Sequence, residues 1–350
     1  MGTEYSIGPL TGLLKPKYRT ISTMLGENYF PTNGLDIFID LNTLISTMAS
    51  CQKLMMSLPF SSNAEKDFIE HLLKIYKHWK DFSRKWDDKV RIFMMFNDFK
   101  MKDNLPERNQ LKSYLLPYEN KYKHDRFNQL TYYWNEAINI VEPLMQYLPN
   151  GYMLKCDTVD SFILPQIIDD YDTNKRDRLI ISGSPMMTNY TFMDNTCVAY
   201  TCYRRTGTMQ LSDPLMITQT LTKIDDEVMS TFIKNKVFYN LLNTIIGDKD
   251  RGIIGVTQFG ITTFATELLR SIEKREIPDN PKSINSILPV VNDAYHDYVT
   301  KNYPLMDVEL HAQLIPESVI QELRSRVIDK SDIDALGQFK INDLNLLELI

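Results

Sequence analysis

The stretch LDIFIDLN, residues 35–42, decides the reading of the fold. It is a short apolar run that ends in a carboxylate, Asp40. Such a run reads as a buried strand of a parallel sheet, because both faces of a strand in that setting must be apolar. VRIFMMFND, 90–98, has the same form and ends in Asp98. RLIISG, 178–183, is a third buried strand and GYMLKC, 151–156, a shorter one. CVAYTCYRR, 197–205, fits a further strand and is expected at a sheet edge. Helical segments are expected between these runs. Residues 64–90 carry Phe68, Leu72, Leu73, Ile75 and Trp79 among charges, the pattern of an amphipathic helix. Residues 126–147, 157–170, 229–246 and ITTFATELLRSIE, 261–273, also read as helix. Strands alternating with helices predict an α/β fold with a mostly parallel central sheet flanked by helices. Working groups in such sheets gather at the carboxyl ends of the strands, where Asp40 and Asp98 stand.

The 350 residues and 40.9 kDa correspond to two domains, or one large domain with an appendage. Apolar residues are 43% and charged residues 24%, which excludes a disordered or fibrous chain. Only 13 glycines leave little room for glycine-rich phosphate loops. The net charge of −6 argues against a uniformly basic nucleic-acid-binding surface. The four cysteines, 51, 156, 197 and 202, form no CxxC pair, so a reducing intracellular compartment is expected. Met1-Gly2 and Ser6 fit the bare myristoylation pattern, but the N-terminal stretch lacks the apolar core of a signal peptide. No apolar run approaches the roughly 18–20 residues that cross a bilayer, so no membrane role is expected.

Six segments, in order, resemble the 5′-nuclease family, the flap endonucleases and bacteriophage 5′→3′ exonucleases of PIN-like fold. IFIDLNTLI (37–45) is similar to the first family strand, whose Asp binds metal, and FMMFND (93–98) to the second. LPYENKYKHDR (116–126) resembles the stretch leading into the family's helical arch. KCDTVDSFI (155–163) resembles an acidic helix start that usually reads E-A-D-D. RLIISGSPM (178–186) resembles a strand that normally ends S-G-D-x-D. IIGDKDRGIIGVTQFGITTFATELL (245–269) resembles the family's helix–three-turn–helix. The resemblance covers about 35–280. It implies a leader over 1–34, a PIN-like domain over 35–228 with an arch at about 99–130, and a helix–three-turn–helix region over 229–280. A C-terminal extension, 281–350, matches no motif and is expected to be helical, docking on this chain or on a partner.

The family's chemistry needs carboxylates that hold two divalent ions, one activating water and one stabilising the leaving oxygen. By resemblance the metal candidates are Asp40, Asp98, Asp157, Asp160 and Asp248. Four acid positions are lost, to Val159, Ser184, Met186 and Arg251. Asp250 lies one residue from the last of these. An arginine aimed at such a site repels a cation. The expected outcome is a decayed site that requires no cofactor and holds at most a residual Mg²⁺ or Mn²⁺. Taken singly, the carboxylates also fit plain roles: Asp40 and Asp157 each precede a helical stretch and suit helix caps.

Binding has its own candidates. The resemblance implies that the turn containing Gly255, Val256, Phe259 and Gly260 grips a duplex backbone with a bound K⁺. No lysine stands at the start of the second helix there, which reads Ile261-Thr262-Thr263-Phe264. Over 61–130, 15 Lys and Arg stand against 11 Asp and Glu, while the rest of the chain carries 24 against 34. Lys112, Lys121, Lys123 and Arg126 alternate with Tyr114, Tyr118 and Tyr122, a combination suited to phosphates and bases. A solvated helical face explains the same residues. The five histidines contain no HExxH pair, and neither a P-loop nor a GxSxG elbow is present.

Three functions remain open on the sequence. The first is a catalytically impaired 5′-nuclease-like subunit that binds DNA or RNA or acts as a scaffold, in a viral setting. The second is an active divergent metal-dependent 5′-nuclease. The third is an assembly component without nucleic acid, with a protein partner at the C-terminal region. The apolar ending INDLNLLELI motivates the third, because a free apolar tail is unfavourable in water.

Overall fold

Residues 31–41, 89–97, 151–156, 161–171, 175–182, 185–203, 209–212, 235–248, 253–256 and 261–328 are described by a computed structural model of the chain. The expected helices at 64–90 and 126–147, the arch, and the terminal stretches 1–30 and 329–350 lie outside them.

β1 (Leu35–Asp40) is central, and all six of its residues are buried, the four apolar ones as a two-sided parallel strand requires and Asp36 and Asp40 with polar partners. β2 (Val90–Asn97), β3 (Gly151–Cys156), β4 (Asp177–Ser182) and β5 (Thr196–Tyr203) run parallel in the order β3-β2-β1-β4-β5. β6 (Met209–Ser212) pairs antiparallel with β5 and forms the edge. The chain is therefore α/β with a mostly parallel sheet, as its strand pattern predicts. The strand expected over 197–205 is not an edge strand, since β6 covers its outer side. Four residues, MQLS, carry too little pattern to announce a strand; pairing with β5 makes them one.

The strands extend first to one side of β1 and then to the other. β2 and β3 lie on one flank, and the chain crosses back to place β4 and β5 on the opposite flank. The reversal makes the gap between β1 and β4 the topological switch point, where open α/β sheets bind ligands.

After β3 a 3-10 turn (Ser161–Ile163) runs into α1 (Leu164–Tyr171). After β4 an unforeseen 3-10 stretch spans Pro185–Phe192. α2 (Lys236–Ile246) begins at Asn235, whose side chain accepts from the Val237 and Phe238 amides. A two-residue ladder of β7 (Gly247–Asp248) and β8 (Ile253–Ile254) links it towards α3 (Ile261–Glu273). Short 3-10 turns between 284 and 295 lead to α4 (His296–Met306), α5 (Val308–Gln313) and α6 (Glu317–Ile328).

Two apolar clusters hold these elements. In the first, Phe38, Phe93, Leu154, Ile180 and Val198 from one sheet face meet Ile163, Leu164 and Ile167, together with Met306, Val308 and Leu323. Phe38 and Phe93 stack at 4.7 Å between ring centroids, across the β1–β2 register. In the second, α2 and α3 pack Phe238, Leu241, Leu242, Phe264 and Leu268 against Val290, Val299 and Tyr303. Of the described C-terminal helices, α4 belongs to both clusters, and α5 and α6 to the first.

At the amino ends of the strands, buried Asp36 accepts from Arg91 Nε at 2.8 Å and Nη2 at 2.5 Å, and from Arg176 Nε at 2.8 Å. Arg176 also donates to the carbonyls of Asn33, Leu35 and Lys89. Gly34, at φ 112°, lies under this guanidinium, and a Cβ there would fall 2.2 Å from Arg176 Nη1. One carboxylate therefore ties β1, β2 and the entry to β4 together.

Candidate functional site at the carboxyl ends of the strands

The parallel register brings the ends of β1 to β4 to one edge. Side chains alternate along a strand, so Asp40 shares the face of Phe38, and Ser182 that of Ile180. That face is the one covered by α1, and Asp40 and Ser182 are 2% and 1% exposed. Ser182 Oγ donates to Asp40 Oδ2 at 2.6 Å, a short charge-assisted hydrogen bond across the switch point. Asp40 is the one carboxylate among the described carboxyl ends of the strands in the central sheet.

Of the other metal candidates, Asp98 follows β2 and Asp157 follows β3 in the sequence; both lie outside the described residues, as does Asp160. Asp248 lies in β7, opposite Ile253 in the small ladder rather than in the central sheet. Its side chain is outside the description. Among the described residues, no group of three or more His, Cys, Asp or Glu side chains could hold a metal ion.

The degenerate positions divide in the same way. Val159, Ser184 and Arg251 lie outside the described residues. Met186 does not: its side chain is 3% exposed and belongs to the apolar cluster against the sheet. Its backbone carbonyl accepts from Asn189 Nδ2 at 3.1 Å. At a position where the resemblance implies an acid, the thioether is core filling.

Among the nucleic-acid candidates, Lys112, Lys121, Lys123, Arg126 and Gly260 lie outside the described residues. Gly255 sits against the end of α2, where a Cβ would fall 2.2 Å from the Ile246 carbonyl oxygen and 2.7 Å from that of Ile245. The next residue, Val256, donates its amide to Ile245 O at 2.7 Å. The absent side chain at 255 therefore admits the chain's own helix end. A cap-like role for Gly247, at φ 77°, completes this tight exit from α2.

The sequence reading passed over Ser182 and Asp36. Ser182 is the polar end of an otherwise apolar run, as Asp40 is, and their strands prove to be neighbours. Asp36 and Arg91 are each the second residue of an apolar run, and the register places them opposite one another.

A scan against family models and a search of curated proteins give no match. Among solved structures, a mutant T5 5′-exonuclease is similar over 85% of this chain and 100% of its own, at 12% identity and a TM-score of 0.44. A bacteriophage T5 flap endonuclease, solved as a pseudo-enzyme–product complex with DNA and metal ions, is similar over 85% and 98%, at 14% identity and a TM-score of 0.43. The likeness is one of fold. What the site does has to follow from its own residues. No helix of the described residues is long and apolar enough to cross a membrane.

Proposed function

We propose that the protein is a catalytically impaired 5′-nuclease-like protein that serves as a nucleic-acid-binding or scaffolding subunit. The observation that carries this reading is Met186. The motif resemblance puts an acid there, and the side chain instead fills the apolar core beside the strand edge. The Ser182–Asp40 hydrogen bond adds support, since it engages one oxygen of the carboxylate that stands at the switch point. A two-ion mechanism needs several such oxygens free to face hard cations. Mg²⁺ or Mn²⁺ would have to draw its remaining ligands from Asp98, Asp157, Asp160 and Asp248, and K⁺ its ligands from the turn after α2. Nucleic-acid contacts are assigned to Lys112, Lys121, Lys123 and Arg126, with the α2–α3 turn around Gly255 and Gly260.

The test follows binding and cleavage of a labelled 5′-flap duplex on one preparation, at low salt with Mn²⁺. The expected result is binding that weakens steeply with added salt, without cleavage. Cleavage abolished by Asp40→Ala would overturn the impaired reading. Neither binding nor cleavage would overturn the nucleic-acid role and leave the assembly role.

A further inference from the structure

We propose that the Met306–Asp307 junction, between α4 and α5, is a strut that fixes α2 in one position against the segments that follow β3 and β4. Three sets of contacts converge on it. Towards the sheet, buried Asn189 of the 3-10 stretch after β4 donates its amide to Met306 O at 3.0 Å as well as to Met186 O. Towards α2, Asp307 Oδ2 accepts from Asn240 Nδ2 at 2.9 Å, and Oδ1 pairs with Lys236 Nζ at 3.0 Å. Towards its own helix, Asp307 Oδ1 accepts from the Glu309 and Leu310 amides and caps α5. Lys236 also pairs with Glu309. Beyond the cap, the His311 ring packs edge-on against Phe162 at 5.0 Å, and Arg324 Nε donates to Ile167 O at 3.2 Å. These last two contacts grip the segment after β3.

Stability alone does not account for this chemistry. Buried polar groups cost desolvation that apolar side chains of the same volume avoid. Asn240 is buried, and among the described residues its Oδ1 has no hydrogen-bond partner. Groups of this kind discriminate between alignments: a helix packed by Leu and Val alone can slide or turn, whereas Asn240 meets Asp307 in one register only. The strut therefore holds α2, and the Gly255 turn at its end, at a set position relative to the Asp40–Ser182 edge. That is what a single ligand touching both places requires.

Amide hydrogen exchange on the full chain, resolved by peptide mass spectrometry, tests it. Asp307→Asn keeps the shape and removes the charge. Exchange over 236–246 is expected to accelerate about tenfold or more, while 35–40 and 177–182 keep their protection. Lys236→Met is the milder variant and decides the matter if Asp307→Asn does not fold; a few-fold acceleration confined to 236–246 is expected. Unchanged protection over 236–246, or an equal loss across the sheet strands, would overturn the proposal.

Discussion

Asp36→Asn removes one charge and almost no volume from the amino end of the sheet. In the wild type the Asp36 side chain is 4% exposed, between Arg91 at 20% and Arg176 at 14%. The asparagine cannot accept from both guanidinium groups through charged oxygens, and its own N–H₂ turns a donor towards one of them. Two mostly buried cations then lose the carboxylate they share. Breaking a buried pair in this way costs about 3–5 kcal/mol, mainly because a charge is left uncompensated. Against a typical total of about 5–15 kcal/mol this is a large fraction. At about 2 °C per kcal/mol for a chain of this size, the melting temperature should fall by about 6–10 °C. Urea unfolding followed by far-ultraviolet circular dichroism should show the midpoint shift with an unchanged slope. Arg91→Met should cost less, because Arg176 still neutralises the carboxylate. A loss below about 1 kcal/mol for Asp36→Asn, the value of an exposed pair, would refute the argument that this carboxylate ties three strands together.

Three further outcomes follow from the same geometry. Ser182→Ala removes a hydrogen bond to a buried charge and should lower stability by about 1.5–3 kcal/mol in the same unfolding assay. Gly255→Ala drives a Cβ into the Ile246 carbonyl and should cost several kcal/mol, on the order of 3 or more, with faster amide exchange at the end of α2 as the local readout. The phenol of Tyr303 is pushed above its ordinary 10.0, first by burial and then by the Asp307 charge, against a lowering hydrogen bond from Asn240. The unfolded chain therefore releases this proton before the native protein does. Tyr303 thus leaves stability unchanged below about pH 9 and lowers it as pH rises above about 10, a loss that Tyr303→Phe should remove.

Strand identity was legible in the sequence because a parallel strand buried on both faces must be mostly apolar. The IFI, IFMMF and LII stretches of LDIFID, VRIFMMFN and DRLIIS carry that requirement in their composition, with polar residues at or near the strand ends. The helices α2 and α3 were legible for the corresponding reason, a 3.6-residue apolar period. Asp40 was legible as a strand-end carboxylate. Its partner was not: Ser182 lies 142 residues away, and only the placement of β4 beside β1, rather than beside β3, brings the two together. The fate of Met186 was half legible. Its residue type shows that no acid is present, but only packing shows the side chain turned into the core. β6 was invisible because four residues have no period to read, and its hydrogen bonds come from β5. The strut at Asp307 was invisible for a further reason. A lone Asp before a short helix reads as a cap, which it is, and the local sequence carries no sign that the second oxygen of that carboxylate reaches Asn240, 67 residues earlier. Local periodicity decides which segments become strands and helices; the order in which the strands pair decides which polar groups meet.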